Sequence, residues 1–195
     1  MFIVSGERDS VGSEVEAAEA HWLARIAQGD HAALRTLYDS YRPQLRRYLW
    51  RLLAGDGDAV EDCLQETFIT LWRSAATFRG EGRVAAWVFR IASRAAAHAR
   101  RADASRPTQP LPDDVGNEDP LGASTPETEV LNRMMLSTAL ATLSPKHRVT
   151  LELVFVHGFT MEETAQILTI PVGTVKSRLN YARRALAQAL VADGS

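Results

Sequence analysis

Residues 159–186 read FTMEETAQILTIPVGTVKSRLNYARRAL, and the fold class turns on this stretch. Thr160 with Glu163 three residues later has the form of a capping box, and the following MEETAQIL carries apolar residues at helical spacing. The run TIPVG then turns the chain. Beyond it, Val175, Leu179, Ala182, Leu186 and Ala189 fall on one stripe at about 100° per residue. A short capped helix, a tight turn and a longer helix make a helix-turn-helix. Away from its stripe the longer helix gathers Ser177, Asn180, Tyr181, Arg184 and Gln188, flanked by Lys176, Arg178 and Arg183. Side chains of these kinds pair with base edges in a major groove, while the cations neutralise phosphates. Lys176 and Ser177 lie near the helix start, where recognition helices meet bases. A basic helix by itself is more often simply solvated. The capped helix and turn before it favour nucleic acid.

Working outward, the rest of the chain is also helical in pattern, and no convincing strand appears. A first helix is expected at about 19–28, closing at Gly29, after which Asp30 caps a long helix containing Pro43. The run GDGD interrupts at 55–58, and Asp58 with Glu61 predicts a box-like start to a helix reaching Ser74. A loop, TFRGEGR, leads into a helix from about 84 to 101. Thr125-Pro126 and Ser144-Pro145 each offer a cap and a first-turn proline, predicting helices to Leu143 and to Gly158.

Between the two helical blocks, residues 102–128 hold five prolines and no aromatic residue, so they bury too little apolar surface to offset their ordering entropy. This is a linker by composition, spanning about 3 Å per residue where extended. The 195-residue chain has a net charge of −2, which hides a partition: −4 over 1–20, +5 over 21–101, −6 over 102–130 and +3 over the remainder. Two basic units joined by an acidic connector suit a polyanionic partner. The expectation is an all-α protein of two small helical domains, 19–101 and 129–192, joined by a flexible acidic Pro-rich linker and preceded by a flexible segment over 1–18. The second domain contains the helix-turn-helix.

The first block carries two further surfaces. In the helix after GDGD, Val60, Leu64, Thr67, Phe68 and Leu71 form a core face, while Asp62, Gln65, Glu66 and Ile69 gather opposite with Trp72 nearby. Acid and amide groups around an exposed aliphatic residue suit docking to a basic protein surface, though a solvated acidic face has the same pattern. In the helix from Val84, the core stripe is Val88, Ile91, Ala95 and Ala99, while Arg90, Arg94, His98 and Arg101 line up at spacings of four, four and three. A basic stripe follows a phosphate backbone, and Phe78, Trp87 and Phe89 beside it would suit unpaired bases. Each of those aromatics is more often core than a stacking platform, with Trp87 evenly balanced.

Catalytic and metal chemistry find no footing. The five histidines are scattered, Cys63 is the sole cysteine, and no Walker loop, nucleophile elbow or HExxH occurs. No cofactor or metal is expected. No run approaches the roughly 18 apolar residues of a membrane span, so the reading is a cytoplasmic protein without membrane insertion.

These residues resemble the extracytoplasmic-function (ECF) group of bacterial sigma factors. The likeness runs over about 20–101 and 129–190 and includes GDHAALRTLYDSY, AVEDCLQETFITLW, the FRG and AWVFRIA pieces, LSPKHR and FTMEETAQILTIPVGTVKSRL. A helix-turn-helix alone would fit a conventional regulator equally well, whereas QETF and GTVKSRL in this order around an acidic linker are specific. The resemblance implies docking on the clamp helices of core RNA polymerase through Asp62, Gln65, Glu66 and Ile69. It implies capture of the single-stranded minus-ten promoter strand by Phe78, Arg79, Trp87, Arg90, Arg94, His98 and Arg101. Duplex reading of the minus-thirty-five element falls to Thr174, Lys176, Ser177, Arg178, Asn180, Tyr181 and Arg184. It further implies no bond chemistry and an anti-sigma factor as regulator. The family commonly has Asn at Arg94, Asp at His98 and Arg at Tyr181.

Overall fold

The computed structural model describes residues 5–103, 140 and 143–192, and the chain divides into two compact units between Thr108 and Gln109. All secondary structure among the described residues is helical. Most of the expected linker, and nearly all of the helix expected between Thr125 and Leu143, lie outside the described residues.

The first unit is built from α1 (Ser5–Ile26), α2 (His31–Leu52), α3 (Gly57–Ser74), a 3₁₀ turn (Ala75–Thr77) and α4 (Val84–Asp103). The joint between α1 and α2 rests on Asp30. One carboxylate oxygen accepts from the backbone N–H groups of Ala32 at 2.8 Å and Ala33 at 3.1 Å, and the other pairs with Arg25 at 2.6 Å. One side chain thus caps α2 and ties it to the last turn of α1. The Ala33 N–H, followed by Arg25, holds the Asp30 carboxyl below the usual carboxylate range.

The core lies where α2, α3 and α4 meet. Leu37, Leu45 and Leu49 of α2, Val60 and Leu71 of α3, and Val88 and Ala92 of α4 have no exposed surface. Each such Leu contributes about 1.5–3 kcal/mol of burial. Tyr48 packs on Phe89 at 5.1 Å between ring centroids, and its hydroxyl meets Ser93 Oγ.

Two expectations change here. The segment 1–18, expected to be flexible, is helical from Ser5 onward. Its Glu and Ala residues are good helix formers, and Glu16 and Glu19 find partners in the bundle, so the helix extends well upstream of residue 19. The cap of α3 is Asp56 rather than Asp58: its carboxylate reaches the N–H of Ala59 at 3.0 Å, which places Asp58 inside the first turn.

The second unit contains α5 (Pro145–Leu151), a π turn (Glu152–Val156), α6 (Met161–Leu168) and α7 (Val172–Ala192). The helix expected to run to Gly158 therefore widens by a π turn before closing there, with Gly158 at φ +65°. Both halves of the Thr160–Glu163 capping box form, at 3.1 and 2.8 Å. Thr169, at φ +55°, makes the turn into α7. Leu153, Ile167, Val175 and Ala182 are wholly buried and hold α6 and α7 to the π turn and α5.

Candidate functional site

On α3 the buried face runs through Val60, Leu64, Thr67, Phe68 and Leu71, as the spacing predicts, and Cys63 joins it. The helical period then turns Asp62, Gln65, Glu66 and Ile69 outward; Ile69 keeps 41% of its surface exposed. An open groove of about 820 Å³ runs beside them, with Asp62, Gln65 and Ile69 on its α3 wall. Its other wall comes from α2, through His31, Leu34 and Tyr38. His31 stacks on Trp72 at 4.5 Å and 15°, and Tyr38 lies against Phe68 at 4.7 Å. This α2 contribution escaped the sequence reading, although the spacing of three and four from His31 was there to see. Glu61, at the edge of this surface, is held by Arg46 at 3.1 Å and Arg42 at 3.7 Å.

The second surface joins the 78–83 loop to α4. Gly80 and Gly82 both have positive φ, at +73° and +89°, which carries Arg79 and Glu81 out to solvent on a sharply turned loop. Phe78 and Trp87 are half-buried with ring centroids 5.5 Å apart at 58°, each offering part of its surface. Arg83, where the loop enters α4, has its Nε 2.9 Å from Glu16 Oε1, so α1 holds that end of the loop. Arg90 is half-buried, while Arg94, His98 and Arg101 are exposed along α4. Arg101 Nε donates to the Ala97 carbonyl at 3.0 Å. Phe89 takes the core reading and not the stacking one: only 1% of it is exposed.

On α7, Lys176, Ser177, Asn180, Tyr181 and Arg184 are exposed and Thr174 and Arg178 are half-buried. The Ser177 hydroxyl donates to the Thr174 carbonyl at 2.9 Å, which leaves its oxygen as an acceptor. Val175 and Ala182 form the buried stripe as expected, but Leu179 and Leu186 are only half-buried. They border a groove with Leu151, Phe155 and Met161. Tyr181 keeps 57% of its surface exposed, and its ring stacks on His147 at 4.3 Å and 23°. Nothing in the sequence linked those two positions.

Three outward surfaces of different chemistry are therefore present: an acidic and apolar groove, a loop with aromatics and a basic helix, and a polar, cationic helix of a helix-turn-helix. No helix among the described residues is long and apolar enough to cross a membrane. Sigma-70 region 2 matches residues 37–106, and sigma-70 region 4 matches residues 139–188. The ECF RNA polymerase sigma factor SigL of Mycobacterium tuberculosis is 36% identical over 173 residues, covering 84% of this chain and 94% of that protein. Among solved structures, CnrH in complex with the cytosolic domain of CnrY is similar at a TM-score of 0.60 and 22% identity, covering 90% of this chain and 99% of that one. The sigma factor RpoE of Bartonella quintana, in complex with the anti-sigma factor NepR, gives a TM-score of 0.55 at 26% identity, covering 77% and 92%. Region 2 over 37–106 followed by region 4 over 139–188 is the arrangement of a non-enzymatic transcription initiation factor, and the chain belongs to the ECF group of the sigma-70 family.

Proposed function

We propose that this chain directs core RNA polymerase to its promoters through the three surfaces separately. The α3 face of Asp62, Gln65, Glu66 and Ile69, with its groove, docks on the clamp helices of the polymerase. Phe78, Arg79 and Trp87, with Arg90, Arg94, His98 and Arg101, hold the unpaired minus-ten strand: the aromatics stack on bases and the cations follow the backbone. The α7 face from Thr174 to Arg184 reads the minus-thirty-five duplex. An anti-sigma factor restrains the protein in the cytoplasm by covering these surfaces. The similarity to a sigma factor seen in complex with its anti-sigma partner supports that last element.

The observation that carries the reading is the order of the two family regions, 37–106 then 139–188, combined with outward-facing residues at the positions that the likeness assigns to polymerase and DNA. The test is reconstitution. Purified protein added to core polymerase is expected to initiate from a subset of a random promoter library, while core polymerase alone does not. A duplex-binding regulator would instead bind its site tightly without polymerase and be indifferent to changes at Gln65 and Glu66. Absence of initiation from every promoter in the library would overturn the proposal.

A further inference from the structure

The stacked pair of His147 and Tyr181 joins the scaffold helix α5 to the exposed face of α7. Tyr181 is four residues after Ser177 and one after Asn180, so it shares the outward face of the recognition helix and extends it by one turn. His147 is itself fixed. Its Nδ1 lies 2.8 Å from Ser144 Oγ, and its backbone N–H donates to the Ser144 carbonyl at 2.9 Å. Burial, followed by the charges of Lys146 and Arg178, pushes the His147 imidazole below its usual range, which favours the neutral ring that stacks on Tyr181. One face of the Tyr181 phenol is thereby covered and its rotamer restricted before any DNA arrives. The rest of the ring remains exposed, with Lys146 and Arg178 close by to meet phosphates.

We infer that Tyr181 is a specificity-determining residue of the recognition helix, set in place by His147, and that its ring edge selects thymine at one position of the minus-thirty-five duplex. This rests on the proposed reading of α7 as the duplex-facing helix. The chemistry follows from what a phenol offers. It has no guanidinium fork, so it cannot make the bidentate contact to guanine O6 and N7 that an arginine makes. Its apolar edge instead suits the thymine C5-methyl, which projects into the major groove. A ring already immobilised by stacking loses little further side-chain entropy on contact, which sharpens discrimination. His147 acts through Tyr181 and is a positioning residue.

The experiment uses full-length protein with core polymerase on a promoter library randomised across the minus-thirty-five element, reading base enrichment among initiated transcripts. The unsubstituted protein is expected to enrich thymine about fivefold or more at one position. Tyr181→Phe should keep that preference, because the ring edge does the reading, whereas Tyr181→Arg should move it to guanine. His147→Ala should flatten the preference at that position alone, leaving the others unchanged, and His147→Phe should restore it. A merely structural His147 would instead lower initiation from all sequences alike. Unaltered enrichment in both Tyr181→Arg and His147→Ala would overturn this inference and leave the sigma assignment standing. Failure of the unsubstituted protein to initiate anywhere would overturn both.

Discussion

The hydroxyl of Tyr41 donates a 2.6 Å hydrogen bond to Glu19 Oε1, joining α1 to the middle of α2 through a carboxylate that is only 7% exposed. Burial raises the Glu19 pKa, and the Tyr41 hydrogen bond and the Arg83 charge only partly offset it, while Glu16 adds to it. A carboxyl raised in this way binds its proton more tightly folded than unfolded. Its contribution therefore favours the fold at acidic pH and is lost as pH rises through the folded value. Glu19→Gln keeps an acceptor for Tyr41 and removes the buried charge, so the substituted protein is expected to show a flatter dependence of stability on pH across the acid-to-neutral range. Tyr41→Phe strands the carboxylate and should destabilise by about 1–3 kcal/mol. Urea unfolding at several pH values measures both; a Glu19→Gln profile as steep as that of the unsubstituted protein would contradict the argument.

The α3 face makes a prediction of the opposite kind. Gln65 and Glu66 are exposed and carry none of the core, so charge reversal at Glu66 should leave the unfolding midpoint unchanged. Affinity for core polymerase should fall by about tenfold or more, mostly through slower association in low salt. Anisotropy of labelled core polymerase titrated with Glu66→Lys and Glu66→Gln separates the two effects. Equal affinities for the three proteins would remove Glu66 from the docking surface.

Much of this architecture was legible in the sequence, and the misses share a cause. Capping boxes and core stripes are local, so Asp30, Thr160–Glu163 and the face from Val60 to Leu71 could be placed from spacing alone. The start assigned to Asp58 within GDGD is a local miss. Two aspartates compete for one helix start, and only the geometry reveals that Asp56 reaches the Ala59 N–H. What spacing cannot give is how completely the neighbouring elements cover a helix face. Leu179 and Leu186 lie on the apolar stripe of α7 yet stay half-buried. The His147–Tyr181 stack joins residues far apart in sequence and left no periodic trace.

The turn inside the helix-turn-helix contains a removable strain. Thr169 adopts φ +55°, ψ +49°, a left-handed conformation disfavoured for a β-branched residue. Thr169→Gly is expected to stabilise the second unit by about 0.5–1 kcal/mol. Thr160→Ala, which removes half of the capping box, should cost about 1 kcal/mol. Chemical denaturation followed by a probe in the second unit reads both shifts, and a destabilised Thr169→Gly would mean that the threonine side chain stabilises the turn.

Cys63 offers a chemical report on the first unit. Its thiol is 2% exposed on the core side of α3, and its pKa is pushed up to about 11 by burial and then by Glu66, Asp62 and Asp56. At pH 8 only about one molecule in a thousand would carry the thiolate, against roughly a quarter for a free cysteine. Thiolate is the reactive form, and the burial blocks approach even to that fraction. Iodoacetamide should therefore label the native protein at least about a hundredfold more slowly than the urea-unfolded chain. Labelling that does occur in the absence of urea should pass through opening of α3 from the bundle, so a destabilising core change such as Leu71→Ala should accelerate it in proportion to the lost stability. Fast labelling of the native protein, or a rate indifferent to Leu71→Ala, would show that the thiol is reached without that opening and that Cys63 is available as a redox-sensitive group.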